Sequence, residues 1–292
     1  ALAFVLGAVA DGSGVRAAPN AGPLSALAVN GFAEASDNKI YAATSDGVYV
    51  ANSGPSSDTS PWTSVTAGLP PGAVAAIAYE PASGRVFAAA PTGLFVLNPA
   101  ATSWQTTAVA VPPSGTFTTL ILYGPRVAYL GTTTGAVVKV DVITSTSVLV
   151  VSAHRTGRTD VAVSSLARVG NVLIVGDSLG VGECDVSLDT CPSPKSPPGM
   201  SGKKVYGLAL NQGVVLAATS GGVWRRKPAG EWSEPEEVFS PPSAISAIAV
   251  APNGDTAVAR ANENGGSDLH VATKPSSVAS CLLYTSPSPR DA

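Results

Sequence analysis

The chain has 292 residues, a net charge of −3 and only 13% charged residues. That is enough chain for one large core but leaves no broad basic surface, which argues against a nucleic-acid partner. Thirty Gly and 24 Pro interrupt long helices, while 45% apolar residues exclude a largely disordered polymer. An apolar, turn-rich, all-β protein remains.

In chain order, residues 1–10 (ALAFVLGAVA) read as the tail of a secretory signal closing on Ala8-Val9-Ala10. Ten residues are too few for a membrane span, which needs about 20. Residues 11–23 follow as a linker or a closing strand, and residues 24–280 carry a repeat.

The repeat shows first in one strand-like run per unit. IYAAT ends at Thr44, VFAAA at Ala90, AYLGT at Thr132, LIVGD at Asp177, VLAAT at Thr219 and TAVAR at Arg260. A Gly-containing turn and another apolar run follow each, as tight hairpins between antiparallel strands require. An earlier run precedes each one: Ala26–Val29, Ala76–Tyr79, Thr119–Leu122, Ser165–Arg168, Gly207–Leu210 and Ala247–Val250. Their centres are Leu27, Ile77, Leu120, Leu166, Leu208 and Ile248, with small Ala neighbours that suit strands crowding toward an axis. Trp62, Trp104 and Trp232 mark a weaker fourth strand in three units. Six four-stranded units with a period of about 40–45 residues predict a β-propeller of six blades, or of seven with one more beyond Ser280.

Trp62 to Val96, WTSVTAGLPPGAVAAIAYEPASGRVFAAAPTGLFV, resembles the repeat of the BNR/Asp-box superfamily of sortilin-type receptors, sialidases, xyloglucanases and photosystem-assembly propellers. Lys204 to Trp232 resembles it next best. The resemblance implies a propeller. The Ser-x-Asp-x-Gly-x-x-Trp box is missing, because SGPSSDTSPW (Ser53 to Trp62) has its ingredients at another spacing, so the enzymes' activity does not come with the fold. At the far end, CLLYTSPSPRD (Cys281 to Asp291) resembles the translated end of a transposase sequencing adapter, which makes residues 281–292 an expected artefact.

Propellers bind where loops converge at one mouth of the channel. The residues ending the second runs form a ring there: Thr44, Ala90, Thr132, Asp177, Thr219 and Arg260. Asp177 and Arg260 are its ionisable members, and facing the axis they suit a sugar or a small anion. The inter-unit loops add His154, Arg155 and Arg158, then Lys195, Lys203 and Lys204. This is positive charge on an otherwise acidic protein, read either as steering an acidic partner or as a solubilising rim. Cys184 and Cys191 in CDVSLDTC are placed for a hairpin disulfide in an oxidising compartment. No CxxC pair with a nearby His proposes a metal, no phosphate loop or dinucleotide fingerprint proposes a cofactor, and neither His154 nor His270 has a nucleophile context.

These readings predict a secreted or otherwise extracytoplasmic, monomeric, non-catalytic scaffold. It would bind a protein or glycan at its loop-rich face without metal or cofactor. The alternative is a carbohydrate-active enzyme, which needs two carboxylates roughly 5–10 Å apart, with Asp46, Asp177 and Glu263 as the carboxylates in the relevant turns.

Overall fold

A computed structural model describes residues 24, 27–37, 39–52, 62–107, 115–143, 146–151, 161–186, 197–211, 213–233, 245–250, 256–261, 267–272 and 281–284. Six antiparallel sheets follow one another along the chain. Sheet 1 is β1 (Val29–Glu34), β2 (Lys39–Thr44), β3 (Gly47–Asn52) and β4 (Thr63–Ser64). Sheet 2 is β5 (Ala76–Glu80), β6 (Arg85–Ala90), β7 (Gly93–Leu97) and β8 (Gln105–Thr106). Sheet 3 is β9 (Phe117–Tyr123), β10 (Val127–Thr132), β11 (Val137–Asp141) and β12 (Thr146–Val151). Sheet 4 contributes β13 (Val163–Val169), β14 (Val172–Asp177) and β15 (Gly180–Asp185). Sheet 5 is β16 (Val205–Asn211), β17 (Val214–Thr219), β18 (Gly222–Arg226) and β19 (Trp232–Ser233). Sheet 6 is β20 (Ile245–Val250), β21 (Thr256–Ala261), β22 (Ser267–Ala272) and β23 (Cys281–Tyr284).

The first strands pack in succession, β1 on β5, β5 on β9, β9 on β13, β13 on β16 and β16 on β20. Five apolar clusters fill the seams between successive sheets instead of a single central core. This is the expected propeller, with the first run of each unit toward the axis. Trp62 and Trp104 directly precede the short outer strands β4 and β8, and Trp232 opens β19. The segment resembling an adapter supplies β23, which pairs through its backbone with β22. A ladder of this kind asks only for an apolar, β-prone run such as CLLY.

The first unit differs from expectation. Its inner strand is Val29–Glu34, not Ala26–Val29, because Ala35 N–H donates to Lys39 C=O at 2.8 Å and closes a tight hairpin that only the later run can enter. With that correction one frame fits every unit: Val29-Asn30-Gly31-Phe32, Val74-Ala75-Ala76-Ile77, Phe117-Thr118-Thr119-Leu120, Val163-Ser164-Ser165-Leu166, Val205-Tyr206-Gly207-Leu208 and Ile245-Ser246-Ala247-Ile248. The pairing register slips at the second residue of this frame in sheets 1, 3, 4, 5 and 6. Such a bulge re-aims one side chain. In sheets 1, 3 and 4 that side chain bonds the next sheet: Asn30 Nδ2 donates to Val74 C=O at 2.8 Å, Thr118 Oγ1 to Val163 C=O at 2.6 Å, and Ser164 Oγ to Val205 C=O at 2.7 Å.

Candidate functional face

The turns between second and third strands sit at the same end as the inter-sheet loops and are tied to them by backbone bonds. Ser45 N–H reaches Ala28 C=O at 2.9 Å, Thr133 N–H reaches Thr116 C=O at 2.9 Å, and Ser220 N–H reaches Lys204 C=O at 2.9 Å. Gly202 N–H reaches Leu179 C=O at 2.7 Å. Gly180 (φ +125) shows how close the loops come, since a Cβ there would strike Met200 C=O of the loop that crosses it.

The predicted ring occupies equivalent places. Across the bulge, Thr44 pairs with Val29, Thr132 with Phe117, Asp177 with Val163, Thr219 with Val205 and Arg260 with Ile245. Thr44, Thr132 and Thr219 are 0% exposed and Asp177 is 1% exposed. Their side chains fold back on their own turns. Thr44 Oγ1 donates to Gly47 C=O at 3.0 Å and accepts from Asp46 N–H at 3.0 Å. Thr219 Oγ1 does the same with Gly222 C=O at 2.8 Å and Gly221 N–H at 3.0 Å. Thr132 Oγ1 accepts from Ala136 N–H at 2.9 Å, and Asp177 Oδ1 accepts from Leu179 N–H at 2.7 Å. These are the local Ser/Thr and Asx turns that short polar side chains form at hairpin ends.

The residue one step on faces out. Ser45, Thr133, Ser178 and Ser220 are exposed at matching positions of four turns, and they form a hydroxyl rim that the sequence reading missed. The signal was available: in Thr44-Ser45-Asp46-Gly47 and Thr219-Ser220-Gly221-Gly222 the first hydroxyl caps the turn, which leaves the second to face solvent.

Beside this rim stand two of the predicted cations. Lys203 Nζ lies 5.6 Å from the centre of the Trp224 ring, and Lys204 Nζ lies 4.6 Å from that of Tyr206. Neither lysine has an ion-pair partner among the described residues. Several other described cations have carboxylate partners, while Arg168 lies over the Tyr123 and Tyr129 rings and Lys227 is exposed. Arg226 grips Glu183 at 2.7 and 3.2 Å, Arg126 pairs with Asp141 at 2.5 Å, and Lys39 pairs with Asp37 at 2.5 Å. His154, Arg155, Arg158, Lys195 and Glu263 lie outside the described residues. Asp46 is exposed. Cys184 is buried and is not a free thiol, while Cys191 lies outside the described residues. Among the described residues no cluster of three or more His, Cys, Asp or Glu could hold a metal ion, and no helix is long and apolar enough to cross a membrane.

The geometry defines an all-β propeller whose hairpin-turn end combines a hydroxyl rim with two ammonium groups that no described carboxylate pairs. No protein-family model and no curated protein matches the chain. Two solved structures share the fold. The WD40 β-propeller domain of Doa1 matches 98% of this chain and 87% of its own, at 15% identity and a TM-score of 0.63. PorZ, an essential bacterial surface component of the type IX secretion system of Porphyromonas gingivalis, matches 82% of this chain at 16% identity and a TM-score of 0.57. The match spans about a third (32%) of PorZ's length.

Proposed function

We propose that the protein is an extracytoplasmic, non-catalytic scaffold that recognises a protein or a carbohydrate at the end of the ring carrying the second-to-third-strand turns. One observation carries this reading: among the described residues, that end combines exposed hydroxyls at matching positions with lysines that no carboxylate neutralises, on turns and loops held rigid by backbone bonds. Such a preorganised polar surface lowers the ordering cost of binding. Asp177 is buried and holds its own turn, which weighs against its serving as a hydrolytic acid. The extracytoplasmic placement is supported by the signal-like start, by the spacing of Cys184 and Cys191, which suits a hairpin disulfide, and by fold-level analogy with the surface location of PorZ. The degenerate BNR-like repeat belongs to this reading as an ancestry of fold without the box.

The test is a glycan array combined with a pull-down, run on the protein and on three variants. Ser220→Trp and Thr133→Trp obstruct the proposed face, and Asn171→Trp places the same bulk in an exposed turn at the opposite end. Capture lost in the first two and kept in the third is the expected result. No captured ligand, or capture indifferent to all three, overturns the reading.

A further inference from the structure

We infer that Lys203 and Lys204 form the anchoring point for an acidic polysaccharide, one bearing uronate or sulfate groups along its length. This inference rests on the binding-scaffold reading and names its ligand class.

Two adjacent, half-buried lysines with no carboxylate partner among the described residues are unusual in a chain of net charge −3. Elsewhere the described cations are mostly satisfied by carboxylates, carbonyls or a tyrosine hydroxyl. At this place the ammonium groups lie over aromatic faces, Trp224 and Tyr206, and the backbone carrying them is pinned by Gly202 N–H to Leu179 C=O and by Ser220 N–H to Lys204 C=O. A ring face holds a cation in position without cancelling its charge, so both heads remain available to an incoming anion. The indole beneath Lys203 also keeps its Nε1 buried without an acceptor among the described residues.

The chemistry around the lysines separates a glycan from a peptide. Peptide recognition draws its energy from an apolar or aromatic anchor seated in a pocket. Here the Trp224 ring under Lys203 is 5% exposed and Met200, packed in the same cluster, is 0% exposed, so both are already covered by the protein itself, while the Tyr206 ring under Lys204 is partly covered. What the face offers instead is charge beside the hydroxyls of Ser178 and Ser220, on turns bonded to the same loop. A hydroxyl-rich polyanion uses both and needs no pocket.

The experiment measures binding of the whole chain to sulfated dextran, polygalacturonate, neutral dextran and poly-L-glutamate, at low and physiological salt. The expected result is binding to the two acidic glycans but not to neutral dextran, weakening as salt rises, and falling about tenfold or more in the Lys203→Gln/Lys204→Gln double variant. Lys203→Arg/Lys204→Arg should keep most of the affinity, which guards against a folding defect in the first variant. Lys227→Gln, an exposed lysine at the opposite end, should change it less than about twofold. Unchanged binding in the double Gln variant overturns the inference, and so does preference for poly-L-glutamate over both glycans at matched charge. Absence of polyanion binding while another ligand is still captured, and lost with Ser220→Trp, overturns this inference alone. Absence of any capture overturns the scaffold reading beneath it.

Discussion

The seam between sheets 2 and 3 and the seam between sheets 4 and 5 do the same mechanical job with different chemistry. The first is almost wholly apolar: Phe87, Ala89 and Leu94 of sheet 2 pack on Phe117, Leu120 and Leu130 of sheet 3. At its hairpin-turn end both polar positions of the repeat are alanine, Ala75 in the inner-strand frame and Ala90 in the ring. The second seam has an apolar cluster too, around Ile174, Met200 and Val205, but polar links surround it. Ser164 Oγ reaches Val205 C=O, Leu208 N–H donates to Ser165 Oγ at 2.9 Å, and the Glu183 carboxylate accepts from Arg226 and from Trp232 Nε1 at 2.6 Å. The repeat therefore fixes where sheets meet and leaves open what joins them. Apolar packing supplies bulk stabilisation, and directed polar bonds fix the angle at which one sheet meets the next.

The largest test removes the apolar joint. Phe87 is fully buried in the first seam, so Phe87→Ala should cost about 3–5 kcal/mol through lost transfer energy and the cavity left behind. Urea denaturation followed by fluorescence checks it, and a loss below about 1 kcal/mol would mean that packing does not hold this seam. In the second seam, Glu183→Ala strands the nearly buried Arg226 guanidinium and the Trp232 N–H, at a cost of about 3 kcal/mol. Replacing the pair with Glu183→Leu/Arg226→Met should recover most of that loss, because an apolar pair of similar volume leaves no orphaned charge. If the double variant stays as weak as the single one, the ion pair contributes more than its own satisfaction.

Steric closeness distinguishes the second seam from the inner strand of sheet 1. Gly176 in β14 faces Val205 of the following sheet so tightly that an added Cβ would lie 2.6 Å from Val205 Cγ1, whereas Gly31 has nothing within 4 Å. Gly176→Ala should destabilise by about 1–3 kcal/mol as overpacking, and Gly31→Ala should be close to neutral. Thermal melts of the two variants make the comparison.

How much of this was legible in the sequence depends on which interaction sets each feature. The six units and their second strands could be read because hairpin turns and alternating apolar residues are local signals. The ring residues could be aligned for the same reason. Their burial was not legible, because a Thr or Asp closing a strand can turn outward or fold back on its own turn, and hydrogen bonds to residues two or three places on decide which. Unit one was misplaced because Ala26–Val29 and Val29–Glu34 are both plausible strands until the closing turn at Ala35 chooses between them. The polar brackets of Asn30, Thr118 and Ser164 stayed hidden because their partners lie more than 40 residues away, and only the corrected frame reveals that these three residues are equivalent.

Acid distinguishes the far end of the first seam. Glu80 is buried at the turn into β6, where burial pushes its carboxyl up. Bonds from the Ser83 hydroxyl and from the Ala82 and Ser83 N–H groups, with Arg85 nearby, outweigh that and hold it below the usual carboxylate range. Arg85 in turn donates to Pro125 C=O of sheet 3 at 3.0 Å. A value lowered by folding means that the contribution of Glu80 is fully present above the unfolded carboxyl value of about 4.3 and is lost as pH falls through the native value. Glu80→Gln should therefore flatten the acid limb of a stability-against-pH curve below about pH 4 and leave its slope near neutrality unchanged. An acid limb identical to that of the unaltered protein would place the titrating group elsewhere.

The smallest effect bears most directly on the comparison, because it asks whether the polar bracket can be moved from one seam to another. Ser164→Ala removes the hydroxyl that Val205 C=O and Gly176 C=O accept from, and should cost about 1 kcal/mol, the net worth of a typical internal hydrogen bond. Ala75 holds the equivalent frame position in sheet 2, just before the ladder with β6 begins at Ala76. If the bulge is a consequence of the side chain reaching for the next carbonyl, Ala75→Ser should recruit Phe117 C=O and stabilise the apolar seam by about 0.5–1 kcal/mol. If the bulge must come first, the introduced hydroxyl will find no acceptor and the variant will be neutral or slightly weaker. The sign of that one change, measured by denaturation of both variants side by side, decides whether the backbone slip or the hydroxyl is the primary element of the repeat.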